Sequence, residues 1–187
     1  MRVIVAQSPL ECNFSFRMQN MIELLMDALS KGDLSAARRL SISLITLCPE
    51  EILGWKALGV VMHLQGDASR ALLMLQFGIR LDPEDAECLY NLGLAYQEMR
   101  RHDDAISTLE RALQFRPDYP EARSNLAVSL NALGEAGRAH DHLRIAILLH
   151  PAYSEALNNM GMVLQTMGQG KEAVWAYRKA LVLSPFS

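Results

Sequence analysis

The chain has 187 residues, 50% of them hydrophobic, and its 18 basic and 21 acidic side chains leave a formal net charge of −3. With no basic block, nucleic acid is not an expected partner, and no segment approaches the roughly 20 apolar residues of a membrane-spanning helix. The opening Met-Arg-Val-Ile-Val-Ala is too short an apolar run for a signal peptide, so a cytoplasmic protein is expected.

A leader at 1–17 precedes units at 18–51, 52–85, 86–119, 120–153 and 154–187, whose thirty-second places hold Pro49, Pro83, Pro117, Pro151 and Pro185. The first unit carries Leu24 and Leu25 at places seven and eight, Gly32 at fifteen, Ala37 at twenty and Ser41 at twenty-four. The second repeats this frame with Trp55, Leu58, Gly59, Gly66, Ala71 and Leu75, and the third with Leu89, Leu92, Gly93, Arg100, Ala105 and Leu109. In the fourth, Arg123 takes the large apolar fourth place, where its aliphatic stem is expected to cover the core while the guanidinium reaches water. The fifth has Leu157, Met160, Gly161, Gly168, Ala173 and Tyr177.

Apolar places at 4, 7, 8 and 11, then at 20, 24, 27, 28 and 30, have helical spacing and predict two amphipathic helices per unit. Glycine at the fifteenth place supplies a left-handed residue that ends the first helix, and proline cannot continue the second. Small residues at places 8, 20 and 27 permit close backbone approach beside a large residue at 4 or 24. One helix pair cannot bury both of its apolar faces, whereas stacked neighbours can. The unbroken register leaves no linker, so the expectation is an all-α protein with a single repeat domain at 18–187.

These residues resemble the tetratricopeptide repeat, whose 34-residue helix-turn-helix follows the pattern W-x2-L-G-x2-Y, then A-x3-F, then A and P. The third unit carries it as Leu89, Leu92, Gly93, Tyr96, Ala105, Leu109, Ala112 and Pro117. The resemblance implies an α-solenoid, a right-handed superhelix of five such units, whose first helices line a concave groove. Leu25 and Ser41 depart from the pattern as expected of a terminal repeat.

Catalytic chemistry is not expected. His140 and His142 are two apart on a helix and point to opposite faces, so they cannot share a metal. Gly168-Gln169-Gly170-Lys171 lacks the spacing of a phosphate loop and reads as an inter-helix turn. Cys12, Cys48 and Cys88 lie outside any C-x-x-C spacing and read as reduced thiols in apolar gaps. No cofactor or metal is called for.

A partner surface is expected instead. Place six reads Asn91, Asn125 and Asn159 in three successive units, and place twelve reads His63, Gln97, Asn131 and Gln165. Lys56, Tyr90 and Asn158 stand at place five, and place nine is apolar throughout, with Val60, Leu94, Val128 and Met162. Carboxamides both donate and accept, so solvent-facing rows of them suit the backbone of an extended peptide or partner segment. Glu87, Glu121 and Glu155 at place two form an acidic rim that would favour basic or neutral segments.

The asparagine row resembles the ladder that lines the repeats of O-GlcNAc transferases. Pro49 through Gly59 resembles early repeats of bacterial proteins that join such repeats to that type of glycosyltransferase. That likeness implies a substrate-recruiting arm, without any catalytic residue here. The dicarboxylate clamp of chaperone-binding repeats is matched by Lys56 and Asn91 but not by Val60, Glu121 and Asn125. Val174, Trp175, Tyr177, Leu181 and Phe186 of the last unit are expected to form an exposed apolar edge, through which the chain self-associates or beyond which a longer parent continues with further repeats or another domain.

Overall fold

The computed structural model describes residues 9–184, with side chains from residue 17 onward. Phe186 lies outside the described residues, and Cys12 lies outside the described side chains. The described residues form ten α-helices and no strand, an all-α solenoid of helix pairs.

Two compact units divide the chain, one up to Leu81 and one from Asp82. The first holds α1 (Pro9–Ser30), α2 (Leu34–Leu47), α3 (Ile52–Leu64) and α4 (Ala68–Leu81). The second holds α5 (Ala86–Glu98), α6 (His102–Phe115), α7 (Pro120–Ala132), α8 (Ala136–Leu149), α9 (Ser154–Thr166) and α10 (Gly170–Leu183). Helix α1 begins upstream of the first 34-residue unit, so residues 9–17 of the leader are helical.

The turn inside each pair is built the same way every time. At its left-handed residue, Gly66 has φ +77, its N–H donates to the His63 carbonyl (2.8 Å), and the Asp67 N–H donates to the Met62 carbonyl (2.9 Å). This is the Schellman arrangement that satisfies the last carbonyls of a helix. Arg100 accepts the same conformation without being glycine, at φ 56. Asp33 and Asp67 then cap the helices that follow, accepting from the N–H groups of Ala36 and Arg70.

Between the helices of a pair, size is matched to size. A Cβ on Gly59 would stand 2.5 Å from Leu75 Cγ, one on Gly93 2.7 Å from Leu109 Cγ, and one on Gly161 2.5 Å from the Tyr177 ring. In the first pair the sizes are exchanged: Leu25 and Ser41 are both fully buried, and the Ser41 hydroxyl donates to the Ala37 carbonyl. Leu24, at the place that is buried in the next four units, is 49% exposed.

One side chain departs from expectation. The Arg123 guanidinium does not simply reach water, for its Nε and Nη2 both donate to the Pro117 carbonyl. Trp55, at the same place of its own unit, donates its indole N–H to the Pro49 carbonyl at 2.8 Å. Arginine and tryptophan thus do one job: each covers the core with its body and closes the preceding proline turn with an N–H.

Candidate functional site

Helices α5, α7 and α9 neighbour one another in the second unit and present one continuous face. Their starts carry the three glutamates, their middles the asparagines and the apolar ninth places, and their ends the place-twelve amides. Met162 is exposed at 40%, and Leu94 and Val128 are half-buried.

The asparagines differ in what they do. Asn91 is half-buried and donates to the Glu87 carbonyl one turn back. Asn125 donates to the Glu121 carbonyl and, across to the preceding pair, to the Tyr90 hydroxyl at 3.2 Å. Asn159 is only 7% exposed, and its amide donates to Ser124 Oγ at 3.0 Å. The expectation that all three face solvent therefore fails at Asn159, because a place-six side chain reaches the place-five residue of the pair before it.

A second tie runs the other way. Gln97 Nε2 donates to the Asn125 carbonyl (2.6 Å) and to Ser129 Oγ (2.7 Å). Asn131 is half-buried with a buried Oδ1 that finds no donor. Asn158 and Gln165 are exposed, and Gln165 Oε1 accepts from the Tyr177 hydroxyl at 3.3 Å. Lys56 and His63 belong to α3 of the first unit, where both are half-buried.

The face also holds an aromatic cluster that sequence reasoning found only in part. Tyr119 packs against Tyr90 with ring centroids 5.0 Å apart, and the Arg116 guanidinium lies 4.3 Å from the Tyr119 centroid. The Tyr153 hydroxyl reaches Glu155 Oε2 at 3.4 Å. Burial first, then the Glu155 and Glu121 charges, pushes the Tyr90 phenol up to about 12. Burial and nearby carboxylates likewise raise Tyr119 and Tyr153 above the ordinary tyrosine range. The signal was in the chain, since Tyr119 and Tyr153 share the thirty-fourth place of successive units.

At the far end, Val174, Trp175 and Leu181 are exposed and Tyr177 is half-buried. Lys179 folds its ammonium to 5.1 Å from the Trp175 ring. No three His, Cys, Asp or Glu side chains cluster as a metal site among the described residues, and no described helix is long and apolar enough to cross a membrane.

Residues 86–119 and 154–184 each match a family model described as Tetratricopeptide repeat. These two segments are tetratricopeptide repeats. Among solved structures of this fold, a crystal structure of MamA is 26% identical, with 85% of this chain and 93% of that one covered at TM-score 0.73. TTC0263, a thermophilic TPR protein of Thermus thermophilus, is 22% identical over 91% of this chain and 93% of its own at TM-score 0.76. YrrB, described as a TPR protein with an unusual peptide-binding site, is 18% identical over 92% and 93% at TM-score 0.71. No curated protein matches the chain.

Proposed function

We propose that this tetratricopeptide-repeat chain is a non-catalytic protein-binding module that holds an extended, basic or neutral segment of a partner along the face of α5, α7 and α9. One observation carries the reading. Three successive first helices repeat the same cross-section of carboxylate, polar amide and part-exposed apolar side chain, in register, on one face. An extended chain advances past such a face with matching groups at each step. The basic preference is supported by the carboxylates beside this cluster: burial is the main cause of the raised tyrosines, and Glu155 and Glu121 add to it at Tyr90 and Tyr153. Arg116 stacked on Tyr119 is an internal example of a guanidinium held by this kind of surface. The peptide-binding description of YrrB agrees with this use of the fold.

The test is anisotropy of a labelled extended peptide rich in lysine, arginine and aliphatic residues. A Glu87→Gln, Glu121→Gln, Glu155→Gln variant should retain its helicity and lose about tenfold or more in affinity at low salt. Equal affinity for the variant and the unmodified chain would remove the reading.

A further inference from the structure

Tyr119 and Tyr153 share one place in successive repeats and differ in what covers them. The Tyr119 ring meets Tyr90 at a centroid distance of 5.0 Å and the Arg116 guanidinium at 4.3 Å, and it is left 7% exposed. One repeat on, His150 takes the place of Arg116 and packs on Tyr153 with ring centroids 5.7 Å apart. Ser124 takes the place of Tyr90, and its hydroxyl accepts from Asn159. A ring that covers the first tyrosine is therefore missing from the second, which stays half-buried. Carboxylates stand beside it. The Tyr153 hydroxyl lies 3.4 Å from Glu155 Oε2, and neither Glu155 nor Glu121 enters an ion pair among the described residues. Tyr90 reaches the same spot from α5, since its hydroxyl accepts from Asn125, one turn beyond Glu121. Burial raises the Tyr90 and Tyr153 phenols most, and the charges of Glu155 and Glu121 then act on both, so the four side chains share one locality.

We infer that Tyr153, Glu121 and Glu155 form a subsite for one arginine side chain of the bound segment, which rests on the proposed binding of a basic segment along α5, α7 and α9. In the complex the guanidinium lies on Tyr153 as Arg116 lies on Tyr119, and it supplies the planar contact that Ser124 cannot make. Its edge N–H groups meet carboxylates that have no cation of their own among the described residues. A planar fork makes both contacts at once. A lysine ammonium is a compact, strongly hydrated point charge and gives up the stacking. The preceding repeat offers no such slot, because Tyr90 and Arg116 already cover Tyr119. Arginine recognition is thereby confined to one point of a face whose other groups repeat.

The probes are two labelled extended peptides, identical except that every cation is arginine in one and lysine in the other, titrated onto the full chain by anisotropy. The arginine peptide should bind about three- to tenfold tighter. Tyr153→Leu, with helicity checked by circular dichroism, should bring the arginine peptide down to the affinity of the lysine peptide and leave the latter unchanged. Tyr153→Phe keeps the ring and should retain the preference. On the unmodified chain, one arginine of the bound peptide should show δ-methylene protons shifted upfield by a ring current. Equal binding of the two peptides, or an absent ring-current shift, overturns the inference and leaves the binding of basic segments standing. A preference for arginine that survives Tyr153→Leu overturns it too. Binding of neither peptide removes the proposed function and the inference together.

Discussion

Asn91, Asn125 and Asn159 hold one place in three units, and only their neighbours tell them apart. Asn159 is buried on Ser124, so Asn159→Ala strands a buried hydroxyl and should cost about 1–2 kcal/mol in urea unfolding. Asn91→Ala, whose side chain bonds only its own helix among the described residues, should stay within about 0.5 kcal/mol. A cost for Asn91→Ala equal to that for Asn159→Ala would contradict this division. His142 is a second case. Its Nδ1 is buried without a partner, and burial, then Arg123 and Arg138, lowers its pKa below the usual 6.5. The folded state therefore resists protonation while the unfolded state accepts it. The stability that follows is intact above pH 6.5 and is lost as pH falls from there toward the depressed folded value. His142→Gln should flatten the stability profile in that window. A slope unchanged by the substitution would count against it.

At the scale of the helix pair, the place-fifteen residue is the joint, and Arg100 is its strained member. A side chain in the left-handed region costs about 1–2 kcal/mol relative to the right-handed one, so Arg100→Gly should stabilise the chain, by about 0.5–1 kcal/mol once glycine's added unfolded-state freedom is offset. Thermal unfolding that shifts downward instead would mean that Arg100 makes a compensating contact. Close approach sets the opposite rule at Gly93. There Gly93→Ala places a methyl 2.7 Å from Leu109 and should destabilise by about 1–3 kcal/mol. The helices and their ends were legible in the sequence because glycine, proline and apolar spacing act within a turn or two. The exchange of Leu25 and Ser41 was legible only as a departure. That the two sites remain buried with their sizes exchanged is a result of packing.

At the scale of the molecule, a surface that repeats its charge should behave as a screened electrostatic site. Affinity for a basic segment should fall steadily as salt is raised from low to physiological strength, while a neutral segment of the same apolar content changes little. Identical salt curves for the two, measured by anisotropy, would exclude the acidic face as the selector. By itself the sequence determined the all-α helix-pair fold seen among the described residues and its glycine joints, because a 34-residue period constrains local conformation and burial at once. It also named the asparagine, glutamine and glutamate rows. Only the tertiary structure decided that Gln97, Asn125 and Asn159 tie one pair to the next, that Arg123 closes a proline turn, and that Tyr90 and Tyr119 meet. Those outcomes depend on where one pair sets down on another, across the span of a whole repeat, and one-dimensional spacing does not carry the direction of a side chain across that interval.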